Sequence, residues 1–237
     1  MRISAERIAN TTVVKKLVAI AHELSRLSEE GIEAVAIAYG SYGMGKSQSL
    51  KSQFLKRALQ LDIAVVKGHP KMDTPNKVIR AIATALKCPS GRSFDDTLRY
   101  LIAFSKKRKA VIAVDEAEYI LAHRDTAAVI KLVLEETLYP FLLIGNQNLP
   151  KLVARHGSLD ERVIKEISLD TFTKNDVKEL LKILEIEADP EAAFKLAQKY
   201  GLSVLKFVNA MKLIKRSTDK PQKKLIEEMF KRIVARV

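Results

Sequence analysis

Residues 34–50 of the chain read AVAIAYGSYGMGKSQSL, and this stretch decides the fold. It begins as a short apolar run typical of a buried strand, and from Lys46 to about Leu61 the pattern is helical. Between the two, residues 40–47 (GSYGMGKS) match the pattern G-x-x-x-x-G-K-[ST] at every fixed position. Glycines let the backbone curl so that successive N–H groups point inward, and the following helix adds its positive N-terminus. The stretch is therefore predicted to be a strand, a phosphate-binding loop and a helix.

Within this loop, two side chains have predicted chemical roles. Lys46 should bridge the β- and γ-phosphates of a nucleotide, and the hydroxyl of Ser47 should bind a magnesium ion. ATP and Mg²⁺ are therefore the predicted cofactors. The residues predicted to contact ATP are Gly40, Ser41, Tyr42, Gly43, Met44, Gly45, Lys46, Ser47 and Gln48.

A second hydrophobic run, residues 110–116 (AVIAVDE), ends in two carboxylates. A parallel strand would deliver Asp115 to the carboxyl edge of the sheet, where it should bind magnesium. Glu116 should orient and polarise the water that attacks the γ-phosphate. The quartet DEAE at 115–118 also resembles superfamily 2 helicases, but 237 residues leave no room for the second RecA-like domain of that group. The two motifs together predict an ATPase.

Short apolar runs and helical patterns alternate along most of the chain. This alternation predicts an α/β fold, in which a parallel sheet is flanked by helices on both faces. From Thr173 onward only helical patterns remain, which predicts a small C-terminal all-helical lid. The predicted domains are an N-terminal helical segment at 1–32, a nucleotide-binding core at 33–171 and a lid at 172–237. The predicted strands are 34–39, 63–67, 110–114, 141–145 and 163–169.

Composition excludes several other classes of protein. Hydrophobic residues make up 47% of the chain and charged residues 29%, which is ordinary for a globular protein and excludes disordered and collagenous classes. Cys88 is the single cysteine, so no internal disulfide forms. The longest apolar runs are too short to span a membrane, and residues 1–10 lack the apolar centre of a signal peptide. We expect a cytoplasmic protein with no membrane partner.

The net charge of +13 is unevenly distributed along the chain. Residues 46–109 carry fifteen Lys/Arg against four Asp/Glu, a balance of +11, and residues 199–237 carry a balance of +8. The intervening residues 110–198 have a balance of −6. Segregated positive charge favours a polyanionic partner, most often nucleic acid, although solvated helix faces are the alternative explanation.

The motif order, with Gly145-Asn146 after the fourth strand and a helical lid, resembles that of the AAA+ ATPases. Residues 141–167 (FLLIGNQNLPKLVARHGSLDERVIKEI) look like the corresponding stretch of the transposition ATPases MuB, TniB and TnsC and of the related ExeA-type ATPases. The resemblance implies that Asn146 contacts the γ-phosphate and the attacking water. It also implies an arginine that reaches the neighbouring subunit's nucleotide. Arg162 matches best and Arg155 second, although Arg162 could simply pair with Asp160 or Glu161.

The lid departs from the pattern of the family at one position. AAA+ lids usually carry an arginine three residues after the glycine that opens the third lid helix. Here Gly201 is followed at that spacing by Val204. Lys206 is a candidate substitute, with an ordinary exposed lysine as the alternative. The departure bears on how nucleotide state moves the lid.

By resemblance, the predicted function is that of an ATP-dependent DNA-binding helper of a DNA transposase, similar to MuB and IstB. It would form an ATP-dependent homo-oligomer or helical filament on duplex DNA, with hydrolysis stimulated by DNA or a partner. Lysines bind phosphate without reading bases, so binding should be largely independent of sequence. Two alternatives are a replication-initiator or helicase-loader ATPase, and a signalling switch or scaffold that barely hydrolyses ATP. The predicted DNA-binding residues are Lys67, Lys71, Thr74 and Lys77, with Arg80 less favoured.

Overall fold

The computed structural model describes residues 10–50 and 62–235, and all structural statements concern those residues. The end of the predicted helix at 46–61 and the start of the predicted N-terminal segment lie outside them. The chain forms two compact units. Among the described residues, the sheet unit contains 17–40 and 62–168, and the helical unit contains 10–16, 41–50 and 169–235. The predicted domain limits at 32 and 171 stay predictions.

The sheet unit is built on five parallel strands in the order β2-β3-β4-β1-β5. The predicted parallel sheet flanked by helices is confirmed, and each predicted strand agrees with the observed one to within a residue at either end. Strands β3 and β4 are buried at every position, because helices cover both faces of a parallel sheet. The edge strand β5 alternates between partly buried and exposed residues. The strands are β1 (Val35–Tyr39), β2 (Asp62–Lys67), β3 (Ala110–Asp115), β4 (Phe141–Gly145) and β5 (Val163–Ser168).

Among the described residues, seven helices belong wholly or partly to the sheet unit. The first residues of α1 belong to the helical unit. The starts of these helices follow from local chemistry. For example, Ser93 and Asp96 form a capping box at the start of α4. Helices α5 and α8 were not predicted, since each is four residues long and too short to show a helical period. The helices are α1 (Thr12–Glu29), α3 (Pro75–Leu86), α4 (Phe94–Ser105), α5 (Glu118–Leu121), α6 (Arg124–Thr137), α7 (Leu149–Ala154) and α8 (Gly157–Asp160).

The helical unit has its own hydrophobic core. Phe207 packs edge-to-face against Phe172 and Phe230, with ring centroids 5.5 and 5.7 Å apart. Buried Asp176 accepts from the Thr12 amide at 2.6 Å and closes a capping box. Its helices are α2 (Lys46–Leu50), α9 (Lys174–Leu184), α10 (Pro190–Lys199), α11 (Val204–Lys215) and α12 (Lys223–Val234). In neither unit is any described helix long and apolar enough to cross a membrane.

The register of the sheet brings functional positions to one edge. Tyr39, the last residue of β1, pairs with Gly145 of β4, and Asp115 of β3 pairs with Ile144. Because all these strands are parallel, their carboxyl ends lie at the same edge of the sheet. The sequence that follows Tyr39 is the predicted phosphate-binding loop, and the residue after Gly145 is Asn146.

Candidate nucleotide-binding and hydrolysis site

Residues 41–50, which contain all of the predicted phosphate-binding loop except Gly40 and all of α2, lie in the helical unit. Gly43 and Gly45 have φ angles of +82° and +87°, a backbone region that glycine adopts without steric cost. The Lys46 ammonium donates a hydrogen bond of 2.8 Å to the carbonyl of Ser41 within the same loop. The Met44 side chain in the middle of the loop is buried. The loop is therefore curled as the glycines require.

The N-terminus of α11 packs against this loop within the helical unit. The Leu205 amide donates a hydrogen bond of 2.8 Å to the carbonyl of Gly43. A Cβ on Gly43 would lie 2.7 Å from the Ser203 hydroxyl, so a larger residue would force that side chain to move. Val204, which occupies the position of the usual lid arginine, is 4.0 Å from a Cβ built on Gly45. The start of α11 therefore lies against the loop and is joined to it by a backbone hydrogen bond.

Lys206, the candidate substitute for that arginine, lies one turn into the same helix. Its amide faces the Ser203 hydroxyl at 3.4 Å. Its ammonium makes no ion pair or hydrogen bond with any residue that the structure describes. Whether this ammonium reaches a phosphate stays a prediction.

In the sheet unit, Asp115 ends β3 and is only 5% exposed. Its carboxylate has no hydrogen bond to any described residue, whereas an isolated buried carboxylate is costly unless a cation or donor is bound. Carboxylate oxygens are ligands that a hard cation such as Mg²⁺ prefers, so the buried Asp115 carboxylate suits such an ion. The described residues contain no cluster of three His, Cys, Asp or Glu side chains that could hold a metal alone. The ion would thus need phosphate and water ligands as well.

Glu116 follows directly and has an unusual backbone. Its φ is +55°, in the left-handed region that non-glycine residues rarely adopt and that is enriched at active sites. The segment after β2 holds this backbone in place: the Gly68 amide donates to the carbonyl of Asp115 at 2.7 Å. A Cβ on Gly68 would lie 2.3 Å from the carbonyl oxygen of Glu116. Only glycine fits at position 68.

The carboxylate of Glu116 lies beside one of the predicted DNA-binding lysines. Its Oε1 is 3.9 Å from the Lys67 ammonium at the end of β2. The side chains are 39% and 68% exposed, so this ion pair is weak, worth about 0–1 kcal/mol. The structure thus brings together a predicted water-activating residue and a predicted DNA-contacting residue.

Asn146 lies after β4 and is held from two sides. Its Nδ2 donates to Glu118 Oε1 at 2.9 Å, and its Oδ1 accepts from the Asn148 amide at 2.8 Å. Sequence reasoning treated Glu118 only as the last letter of the DEAE quartet and assigned it no role. A third acidic residue so close to Asp115 was the available signal.

The two candidate arginines have different environments. Arg162 donates through Nε to Glu33 and through Nη2 to Glu135, both at 2.5 Å, and through Nη1 to the carbonyl of Ser158. The hydrogen bond to Glu33 is the main cause that raises the pKa of Arg162. These partners differ from the neighbouring acids considered in the sequence. The exposed Arg155 side chain makes no polar contact with any described residue.

The remaining predicted DNA-binding residues lie between β2 and the first turns of α3. Lys71 and Thr74 are exposed, and Thr74 is the N-cap residue of α3 without a side-chain cap bond. Lys77 pairs with Asp73 at 2.6 Å, one helical turn away. This pair holds the pKa of Asp73 below its usual value. Lys71 is therefore the member of the set whose ammonium has no partner among the described residues.

Arg80 points away from this group. It donates to the carbonyls of Gly91 and Arg92, at 3.2 and 2.7 Å. These contacts tie α3 to the segment that precedes α4. Arg80 thus has a structural partner, in line with its lower ranking as a DNA contact.

A second group of lysines lies at the opposite edge of the sheet, beside the amino ends of β2 and β3. Arg108 anchors this edge: it donates to Asp62 at 2.6 Å and to the Leu86 carbonyl at 3.0 Å. The exposed lysines on either side of it form no ion pairs with described residues. They are Lys106, Lys107 and Lys109. Positive charge therefore lies on both edges.

Comparison with known proteins identifies the class. A family model described as AAA domain matches residues 32–153, more than half of the chain, including the loop, Asp115, Glu116 and Asn146. The chain belongs to the AAA domain family. With its P-loop, parallel sheet and C-terminal helices, it is an AAA+ nucleoside triphosphatase. No protein with a curated description matches the sequence.

Solved structures with a similar fold include three proteins of low sequence identity. The ORC1 protein of Aeropyrum pernix, solved in complex with DNA, has a TM-score of 0.63 at 15% identity. The match covers 95% of this chain and 66% of that one, so this chain spans just under two thirds of ORC1. A RuvB point mutant of Thermotoga maritima has a TM-score of 0.58 at 19% identity, over 94% and 70% of the two chains. PCH-2 of C. elegans has a TM-score of 0.55 at 14% identity, over 99% and 71%. At these identities the likeness establishes the fold.

Proposed function

We propose that the protein is an ATP-dependent, largely sequence-nonspecific DNA-binding ATPase that oligomerises on duplex DNA and acts as a helper of a DNA transposase. The observation that carries the DNA-linked part of the proposal is the contact between Lys67 and Glu116. One lysine of the proposed DNA-binding segment lies 3.9 Å from the carboxylate proposed to activate water. The resemblance of residues 141–167 to transposition ATPases supports the transposase-linked part.

In the proposed reaction, Lys46 would neutralise the phosphates, and Ser47 and Asp115 would hold Mg²⁺. The metal supplies charge neutralisation of the developing oxyanions when it is bound. Glu116 accepts a proton from the attacking water, and Asn146 donates a hydrogen bond to the γ-phosphate or the water. Glu116→Gln should keep ATP binding but slow hydrolysis, because an amide cannot polarise water as a carboxylate does. Wild-type turnover in that variant would place the base elsewhere.

Duplex DNA would stimulate hydrolysis through Lys67. The Lys67–Glu116 pair is exposed and weak, so a DNA phosphate is able to compete for the ammonium. Loss of the pair frees the Glu116 carboxylate to bind the attacking water. A DNA-contacting lysine next to a catalytic carboxylate would in this way couple DNA binding to hydrolysis.

Lys67→Met tests this coupling, since methionine has a similar length but no charge. We expect its DNA-free hydrolysis to rise towards the DNA-stimulated rate of the wild type, with little further stimulation by DNA. Lys71→Met is the matched control, because it removes one charge from the same segment without touching Glu116. It should keep the low basal rate. Unchanged stimulation in Lys67→Met would refute the coupling.

Arg155 is the better candidate for action on a neighbouring protomer's nucleotide. Arg162 is bound by two carboxylates and a carbonyl of its own sheet unit, and all three contacts would have to break before it could reach outward. The Arg155 side chain is exposed and has no polar contact with the described residues. Arginine fingers in phosphoryl transfer contribute on the order of 10³ to 10⁵ in rate.

Oligomerisation would supply most of the DNA affinity. If each protomer neutralises two or three phosphates, a single copy binds with a dissociation constant of roughly 10⁻⁴ to 10⁻⁶ M at physiological salt. ATP bound between protomers would link many such sites along one duplex, and affinity would then rise steeply with protein concentration. Removal of nucleotide should weaken binding.

A salt titration of binding to two unrelated duplexes, with and without ATP, tests the DNA-binding function. Replacing Lys71 and Lys77 together by alanine should weaken binding equally on both duplexes and flatten the salt dependence. Replacing Lys106 and Lys107 by alanine is the matched control, because it removes the same charge from the opposite edge of the sheet. An equal loss of DNA affinity in both double variants would show that binding depends on the overall positive charge and not on this segment. Salt-insensitive binding, or none with ATP present, would refute the proposal.

The partner distinguishes the transposition role from the replication role. A replication initiator or helicase loader would have the same fold and the same ATP and DNA chemistry. Co-purification from cells should recover a transposase encoded near this gene under the proposal. Recovery of a replicative helicase in its place would favour the alternative.

A further inference from the structure

The carboxylate of Glu118 lies beside the end of β4, in space left free by the missing side chain of Gly145. Its Oε1 accepts the hydrogen bond from Asn146 Nδ2. Its Oε2 is buried and has no hydrogen-bond partner in the part of the chain that the structure describes. A Cβ on Gly145 would lie 2.3 Å from Oε2, so only glycine at 145 admits this carboxylate. Packing alone does not account for the position, because leaving a buried oxygen unpaired costs free energy.

The two hydrogen bonds of Asn146 fix which way its amide points. A carboxylate oxygen accepts, and the backbone N–H of Asn148 donates. Nδ2 must therefore face Glu118 and Oδ1 must face Asn148, since the flipped amide would oppose two acceptors on one side and two donors on the other. Glu118 uses one of the two hydrogens on Nδ2. The other has no acceptor among the described residues.

Phosphate oxygens accept hydrogen bonds, so a residue that stabilises the γ-phosphate must present a donor. The orientation observed here keeps an N–H of Asn146 available. The flipped amide would present Oδ1 and repel a phosphate oxygen. Glu118 is the only described side chain that bonds to Nδ2, and it thus selects the donor form.

We propose that Glu118 is a positioning residue for ATP hydrolysis, which holds Asn146 as a hydrogen-bond donor and acts on the reaction through it. This inference rests on the role proposed above for Asn146. Gly145 is also required for this arrangement, since any side chain there would displace the Glu118 carboxylate. Neither residue needs to touch the nucleotide.

Two substitutions at position 118 separate hydrogen bonding from packing. Glu118→Gln keeps an acceptor oxygen for Asn146, whereas Glu118→Met fills a similar volume without one. We expect Glu118→Met to lower kcat about tenfold or more, because small errors in the position of a reacting group have effects of this order. The KM for ATP should change little. Glu118→Gln should recover most of the lost rate, and Gly145→Ala should behave like Glu118→Met.

A double-mutant cycle with Asn146→Ala tests whether Glu118 acts through Asn146. Glu118→Met should have no further effect on kcat in the Asn146→Ala background, because the residue to be positioned is gone. An equal effect in both backgrounds would overturn the proposal and assign Glu118 a separate structural role. So would a Glu118→Gln variant as slow as Glu118→Met.

The side-chain amide of Asn146 gives a readout that does not depend on hydrolysis. In an NMR spectrum of the nucleotide-free protein, Glu118→Met should shift the two Asn146 Nδ2–H resonances, and Glu118→Gln should keep them near their wild-type positions. Unshifted resonances in Glu118→Met would overturn the hydrogen bond itself. If Asn146→Ala hydrolyses ATP at the wild-type rate, the role proposed for Asn146 fails. If Asn146→Ala is slow and Glu118→Met is not, only the present inference fails.

Discussion

Replacement of Arg162 by alanine should destabilise the sheet unit. The change removes two ion pairs at 2.5 Å and a hydrogen bond to the Ser158 carbonyl. Glu33 loses the only ion-pair partner it has among the described residues. Glu135 keeps Lys131, whose ammonium is 3.5 Å away. Most of the loss therefore falls on Glu33.

The magnitude follows from exposure. Exposed ion pairs are worth about 0.2–1 kcal/mol, whereas removal of one partner of a buried pair costs about 3–5 kcal/mol. The Arg162, Glu33 and Glu135 side chains are 22%, 33% and 31% exposed, which places this network between those limits. We expect a loss of about 2 kcal/mol in the free energy of unfolding. For a chain of this size that corresponds to a decrease of about 4–8 °C in Tm.

The assay is urea and thermal unfolding followed by circular dichroism, with Arg155→Ala as the matched control. The Arg155 side chain makes no polar contact with the described residues, so its loss should change stability by less than about 0.5 kcal/mol. For the rate of ATP hydrolysis, we expect the opposite order: Arg155→Ala should have the larger effect and Arg162→Ala the smaller one. Arg155→Ala should be folded and slow, and mixing it with Lys46→Ala protein should restore part of the rate, because each supplies what the other lacks.

One result would refute this reasoning. If Arg162→Ala is as stable as the wild type but is inactive, and mixing with Lys46→Ala rescues it, then Arg162 acts in trans and its ion pairs are incidental. No rescue of Arg155→Ala at any mixing ratio, with both proteins folded and co-assembled, would count against Arg155.

Three further predictions concern binding and pH. Lys46→Ala should abolish ATP binding measured by calorimetry, because the loop loses its cationic side chain; unchanged affinity would refute the assignment. Gly43→Ala should weaken ATP binding too, since a Cβ lies 2.7 Å from the Ser203 hydroxyl and φ is +82°; an unaffected variant would show that the loop rearranges freely. Burial raises the pKa of Tyr139 to about 12, and its hydroxyl donates to the Arg108 carbonyl. The stability from this raised pKa is complete below the unfolded value of about 10 and is lost as pH rises towards 12. The free energy of unfolding of the wild type should therefore fall between about pH 10 and 12, and Tyr139→Phe should lack this part of the fall.

The sequence predicted most of the fold because its signals are local. Apolar runs such as residues 110–114 are nearly uninterrupted, as expected for strands covered on both faces, and they located β3 to within a residue. The sequence also predicted that glycines let the loop backbone curl, and Gly43 and Gly45 adopt positive φ angles in the structure. Helices α5 and α8 were missed because four residues do not contain a full hydrophobic period.

Residues that are distant in sequence could be related only by the fold. Arg162 looked like a neighbour of Asp160 and Glu161, but it pairs with Glu33, which lies 129 residues earlier. An ion pair depends on where β1 and β5 place their ends, and no sequence period encodes that.

The sequence by itself determined the class of protein, since the P-loop and the Asp115-Glu116 strand are contiguous motifs whose chemistry depends on their own backbone. Only the tertiary structure decided which side chains act on one another. It placed Lys67 beside Glu116 and the Glu118 carboxylate next to Gly145 and Asn146. It also paired Arg162 with carboxylates and left Arg155 exposed. The physical reason is that hydrogen bonds and ion pairs act over about 3–4 Å. Parallel strands whose connections run through helices bring residues from distant parts of the chain within that distance only when the whole sheet has formed.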